Sequence, residues 1–129
     1  MKRLLLDTHI FLWYISGDKR LPDDTLTHIQ NPDNEVYLSV VSVWEAIIKY
    51  QLGKLPLPKP PETYLPIQRE RHKILSLELD EASVSHLAKL PPIHRDPFDR
   101  ILICQANVRD LQIVTVDKMI PQYAVSILV

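Results

Sequence analysis

The sequence is poor in cysteine and glycine, with one and two residues respectively. It also lacks any apolar run of the ~18 residues that a membrane-spanning helix needs. Its one cysteine, Cys104, cannot form an internal disulfide, and it reads as a small buried apolar residue. The opening Met-Lys-Arg-Leu-Leu-Leu has the look of an export signal, but Asp7 and His9 interrupt it and no small-residue cleavage site follows. Reduced cysteine without an export signal points to the cytoplasm, with no membrane association. An excess of charge of one sign is missing too: 15 Lys and Arg against 16 Asp and Glu leave a net charge of −1. A protein that held nucleic acid mainly by its charge would be basic, so any such contact here must come from a local site. There is no internal repeat and no low-complexity tract. What remains is 129 residues, 46% of them hydrophobic, which suits one compact domain, residues 1–129, around one core.

Apolar runs alternate with helical spacings along the whole chain. Arg3–Leu6 reads as a buried strand ending at Asp7, and Thr8–Ile15 as a helix stopped by Gly17. A second helix starts at Pro22-Asp23-Asp24 and runs to about Gln30, and Asn31-Pro32-Asp33-Asn34 makes a turn. Glu35–Ser39 is a short strand. Apolar residues at 41, 44, 47, 48 and 52 predict a helix over Val41–Leu52, capped by Gly53. Leu55–Pro61 holds four of the eleven prolines and is read as irregular. Helix over Glu62–Arg71, an edge strand over Lys73–Leu77, helix over Asp80–Lys89, loop over Leu90–Arg95 and helix over Pro97–Arg109 follow. Leu111–Val116 and Ala124–Leu128 are the last expected strands. Such alternation implies an α/β domain with a mostly parallel sheet.

Four acids stand at the ends of these elements: Asp7 after the first strand, Glu45 and Asp99 in the first turns of two helices, and Asp117 after Ile113–Val116. In an open α/β sheet, ligands bind beyond the carboxyl ends of the strands, where all four side chains can meet. Carboxylates gathered there repel each other unless a cation lies between them, which points to a divalent metal and phosphate chemistry. Helix capping competes as an explanation. Ser42-Val43-Trp44-Glu45 fits a capping box, and Asp96-Pro97-Phe98-Asp99 offers an N-cap, proline at N1 and an acid at N3. On that reading Asp96 is the cap of its helix, while Asp7 and Asp117, set by strand ends, have the weaker case for capping. The two readings are compatible, because a helix N-terminus stabilises the ionised carboxylate that a metal requires.

Taken in order, these segments carry a resemblance. Leu5-Leu6-Asp7-Thr8 resembles the opening of a PIN domain. Ser39-Val40-Val41-Ser42-Val43-Trp44-Glu45 resembles the segment that supplies that family's second acid, and Asp99-Arg100-Ile101-Leu102-Ile103-Cys104-Gln105-Ala106 the helix carrying the third. Val114-Thr115-Val116-Asp117 resembles the strand end carrying the fourth. The chain is similar to the VapC toxins of type II toxin–antitoxin pairs, and His94-Arg95-Asp96-Pro97-Phe98-Asp99-Arg100 resembles one bacterial subgroup of them.

The resemblance implies a three-layer α/β/α PIN-like fold and an endoribonuclease for single-stranded RNA that uses Mg²⁺ or Mn²⁺. It assigns Asp7, Glu45, Asp99 and Asp117 as the catalytic and metal-binding acids, with Asp7 and Asp99 foremost in metal contact. Thr115 takes the place of a supporting hydroxyl. Expected chemistry is water attack on a phosphodiester, leaving a 3′-hydroxyl and a 5′-phosphate. Implied partners are the RNA substrate, a second copy of the chain and a small antitoxin. That antitoxin has a DNA-binding half and an inhibitory tail that sets a basic side chain among the acids, so DNA is met only through it.

His9 and His94 lie close in sequence to acids, where a histidine can face the substrate, but the commoner reading is a surface or packing histidine. Arg95 and Arg100 offer either a grip on phosphate or salt bridges to Asp96 and Asp99. Lys49 is placed to pair with Glu45 four residues earlier or to counter the acidic cluster. Trp13, Tyr14 and Trp44, at helical spacing, read as core rather than interface, although the homodimer that the resemblance implies makes an aromatic near the first helix a candidate for its surface. Another Mg²⁺-dependent phosphohydrolase is the main alternative. A haloacid-dehalogenase-like phosphatase, however, wants a second Asp where this chain has His9, and a receiver domain wants an acidic pair before Asp7. A non-catalytic RNA- or protein-binding module is the remaining class.

Overall fold

Leu4, Leu5 and Leu6 are fully buried, which places the first strand at the centre of a sheet covered on both faces. In the computed structural model, which describes residues 1–128, β1 (Arg3–Leu6), β2 (Glu35–Ser39), β3 (Leu75–Leu77) and β4 (Gln112–Val114) form one parallel sheet in the order β3-β2-β1-β4. Leu5 lies opposite Tyr37 on one side and Ile113 on the other. Side chains alternate across the sheet with period two. Leu4, Leu6, Val36, Leu38 and Val114 accordingly pack beneath Ile10 and Phe11 of α1 (Thr8–Ser16), Ile29 of α2 (Asp23–Gln30) and Leu65 of α4 (Pro61–Arg71). Leu5 and Ile113 pack on the opposite face against Ile101, Leu102 and Ala106 of α6 (Pro97–Arg109). α3 (Val40–Gln51) contributes Ala46 to the first cluster and Val41 to the second. Helices on both faces give the expected three-layer α/β/α architecture.

Most expected elements form, and the departures have local causes. The strand expected over Leu111–Val116 is only Gln112–Val114, because the backbone leaves the sheet where the Thr115 hydroxyl turns to its neighbours. Ala124–Leu128 makes a single bridge, Ile127 to Ile113, and no strand. The helix expected over Asp80–Lys89 divides into α5 (Glu81–Ser85) and a 3₁₀ turn over His86–Lys89. Two serines and a valine within five residues are weak helix formers, so a tighter turn finishes the segment. Pro61, expected in the irregular run, opens α4 at N1, where its missing N–H costs nothing. Gly53 lies one residue beyond the cap Leu52, at φ +71°, the left-handed turn that ends α3. Among the described residues no helix is long and apolar enough to cross a membrane.

Candidate active site

β1 and β4 are adjacent and parallel, so their carboxyl ends open on one edge and deliver Asp7 and Thr115–Asp117 to the same place. Asp7 is the N-cap of α1: one carboxylate oxygen accepts the His9 N–H at 2.9 Å, and the other accepts the Thr115 hydroxyl at 2.7 Å. That hydroxyl oxygen in turn accepts the Asp117 N–H at 3.0 Å, and Asp117 accepts the Met119 N–H at 2.8 Å. Two acids and the turn between them are thus tied into one unit.

Glu45, 2% exposed, projects from the second turn of α3. The Thr8 hydroxyl donates to it at 2.7 Å, and the Lys49 ammonium pairs with its other oxygen. The Ser42 hydroxyl lies 2.8 Å from that of Thr8, extending the network along α3. Asp99 stands in the first turn of α6, whose N-cap is Asp96, accepting the Phe98 N–H at 2.9 Å and the Asp99 N–H at 3.3 Å. The His94 Nε2 bridges Asp99 at 3.0 Å and Asp117 at 3.1 Å. Asp7, Glu45, Asp99 and Asp117 all line one cleft of about 300 Å³, joined by Asp96, Lys49 and His94.

Burial and neighbouring charge act on several groups of this cleft. Burial, then the charges of Asp7, Asp96 and Glu45, push the Asp99 carboxyl up to about 7. Burial also raises the Asp7 carboxyl, against the pull of the Thr115 and His9 hydrogen bonds. Asp117 moves the other way: burial is outweighed by the Met119 N–H and by His94. Burial would lower His94, but the hydrogen bond to Asp117 and the charges of Asp99 and Asp117 hold it above its ordinary value. Lys49 is raised because Glu45, Asp96 and Asp99 outweigh its desolvation. The cleft therefore carries more negative charge than its own cations balance.

Several expectations need correction. Glu45 takes no part in a capping box: the N-cap of α3 is Ser39, whose hydroxyl accepts the Val41 N–H, so Glu45 falls in the second turn. Asp99 caps nothing, since Asp96 holds both free N–H groups, as expected of that residue. The weak case for capping is reversed at Asp7, which is the N-cap of α1, whereas Asp117 accepts the Met119 N–H within a turn and caps no helix. His94 is neither a surface nor a packing histidine, because the loop before α6 folds its ring between two acids. Its only sequence signal is its place five residues before Asp99. Arg100 reaches no acid: successive helical residues point about 100° apart. Its guanidinium instead donates to the Pro91 carbonyl at 3.0 Å and the Tyr123 hydroxyl at 3.3 Å, bracing the loop that carries His94. Arg95 is exposed and makes no ion pair among the described residues. Trp44 is not core but 52% exposed, edge-on to Phe98 at 5.0 Å. Thr8 and Ser42 are hydroxyl partners that sequence spacing did not single out.

Residues 4–126 match the family model described as PIN domain. A curated relative, ribonuclease VapC16 of Mycobacterium tuberculosis, is 38% identical over 64 residues, a stretch spanning 50% of this chain and 45% of that protein. Among solved structures, VapBC2 of Rickettsia felis bound to a promoter DNA fragment is similar at a TM-score of 0.73 and 16% identity, covering 98% of this chain and 97% of that one. DNA-bound VapBC of Salmonella typhimurium is similar at 0.65 and 18% identity, covering 98% and 96%. At such identities the likeness to the solved structures is one of fold.

Proposed function

The chain belongs to the PIN domain family, and from that premise we propose that residues 1–129 act as one unit, a divalent-metal-dependent endoribonuclease on single-stranded RNA. The observation that carries this reading is the convergence of Asp7, Glu45, Asp99 and Asp117 on one cleft, with Asp99 held up at about 7 by burial and the other acids. An acid cluster whose Asp99 resists ionisation is chemically suited to a cation. Among the described residues, ligand atoms of His94, Asp99 and Asp117 lie within 4.8 Å of one another, and the carboxylates around them suit Mg²⁺ or Mn²⁺, which favour carboxylate oxygen over imidazole. Asp7 and Asp99, then Glu45 and Asp117, would hold the ion. When bound, such a cation supplies the positive charge that polarises a phosphodiester and acidifies water.

The remaining residues position these four. Thr115 fixes one oxygen of Asp7. Thr8 and Lys49 fix the two oxygens of Glu45. Met119 N–H and His94 fix Asp117. Lys49 and His94 also offset part of the negative charge that an incoming phosphate would meet. Water attack at phosphorus with departure of the 3′ oxygen leaves a 3′-hydroxyl and a 5′-phosphate.

By likeness to the VapC relative and the VapBC structures, the proposed role is the toxin of a type II toxin–antitoxin pair. The proposed setting is the cytoplasm, with the active form a homodimer restrained by a cognate antitoxin that alone contacts DNA. The deciding assay incubates single-stranded RNA with the protein in Mg²⁺ or Mn²⁺, with EDTA as the control. Cleavage should need the metal and vanish in Asp7→Asn, which keeps the fold because Asn caps a helix as well as Asp does. Cleavage in EDTA, or by D7N at the wild-type rate, would overturn the metal-centred reading.

A further inference from the structure

A second concavity of about 490 Å³ lies between α1 and residues 54–58. It shares His9 and Trp13 with the acidic cleft, so the two cavities adjoin along α1. Its far wall follows from Gly53, whose left-handed turn at φ +71° ends α3 and redirects the chain. Pro56 and Pro58 then fix the backbone of that wall, so little ordering remains to be done on binding. Trp13 is half-buried in the floor. The Arg20 guanidinium lies over one face of its ring, 5.0 Å from the centre, and His9 meets it edge-on at 6.4 Å, so a base can stack only on the opposite face. Asp18 grips Arg20 with bonds of 2.7, 3.1 and 3.2 Å, so that cation is neutralised where it stands. Lys54 is different: it is exposed and has no ion-pair partner among the described residues.

We propose that this concavity binds a nucleotide of single-stranded RNA next to the scissile phosphate, with Trp13 as the stacking surface for its base and Lys54 as the contact for its phosphate. The proposal rests on the ribonuclease reading of the acidic cleft and extends it by a binding subsite. An acidic cleft repels a polyanion, and the net charge of −1 gives no general attraction, so the strand has to be held beside the acids. A planar aromatic with one free cation, adjoining the cleft, has the chemistry for that. A purely apolar peptide would fill the walls and leave Lys54 unused.

The test uses the full chain carrying Trp44→Phe, which leaves Trp13 as the only tryptophan, together with Asp7→Asn to block cleavage. The probe is a single-stranded RNA of about 12 nucleotides, set against an apolar peptide of similar length. RNA should quench Trp13 emission saturably and the peptide should not. With Asp7 intact, Lys54→Ala and Trp13→Leu should each raise KM about tenfold and leave kcat within about twofold. Trp13→Phe, which keeps an aromatic face, should restore most of the affinity that Trp13→Leu loses. A Trp13 that only supports the core would shift thermal stability and leave KM alone. Quenching by the peptide and not by RNA, or RNA affinity indifferent to both Trp13→Leu and Lys54→Ala, overturns the subsite. Intact quenching without any cleavage overturns the ribonuclease reading and keeps the nucleotide site. Cleavage with Trp13 unquenched does the reverse.

Discussion

Burial and three neighbouring carboxylates hold the Asp99 carboxyl at about 7, well above its ordinary 3.8. A raised acid binds its proton more tightly in the folded state, so the stability it lends is complete below 3.8 and is lost as pH rises through about 7. Asp117, held low, acts in the opposite sense, and its contribution is lost as pH falls. The clean measurement is therefore a difference between variants. Metal-free Asp99→Asn should melt above the wild type at pH 8, with the gap closing below about pH 4. Added Mn²⁺ should raise the wild type far more than the variant. Equal melting temperatures across that range would show that the cluster carries no such repulsion. Thr115 acts at the same scale, through one bond. Thr115→Val removes a hydrogen bond to a charged group, about 1.5–3 kcal/mol, so cleavage should fall by roughly tenfold to a hundredfold in kcat. A variant with unchanged kcat would mean that Asp7 needs no such orientation.

Elements decide which acid can reach the cleft. Ser39 ends β2 and caps α3, which puts Glu45 in the second turn of that helix and aims it inward. Ser39 is held in turn by Gln105 of α6: the serine hydroxyl donates to the amide oxygen at 2.6 Å, and the amide nitrogen donates to the Glu78 carbonyl at 3.1 Å. Gln105 is fully buried, so this short chain joins the start of α3, the middle of α6 and the segment after β3. Gln105→Leu would orphan the buried Ser39 donor and cut the tie to the Glu78 carbonyl. Urea unfolding should show a loss of about 1–3 kcal/mol. A variant as stable as the wild type would mean that the three elements align without it.

At the scale of the whole molecule, the sheet order β3-β2-β1-β4 makes the site. The chain reverses direction across the sheet between β1 and β4, and the crevice at that switch receives the acids. A cleft so acidic suits a blocking cation from a partner, in keeping with an antitoxin tail that places a basic side chain there. On the toxin reading proposed above, expression of this chain should arrest growth, co-expression of a cognate antitoxin should relieve the arrest, and a version lacking its basic tail residues should not. Arrest unchanged by the intact partner would refute the pairing.

Local patterns in the sequence were enough for most of the element order and for the parallel α/β class, and they pointed to four acids that the structure brings to one cleft. Leu4-Leu5-Leu6 reads as a strand buried on both faces wherever it lies, and Asp96-Pro97 starts a helix by its own chemistry. Capping roles were less legible, because a cap depends on where the helix begins. The N-cap of α3 is Ser39 and not Ser42, which moves Glu45 from a supposed capping partner to a buried acid in the second turn. The bridging role of His94 and the bond of Gln105 to Ser39 were not legible. Asp99 is near His94 in sequence, but Asp117 lies 23 residues from it and Ser39 lies 66 residues from Gln105, and only the packing of the chain brings these together. Spacing along a chain determines which side chains share a face. The raised Asp99, the bridging His94 and the concavity beside Trp13 depend on how those faces meet, and only the tertiary structure decides that.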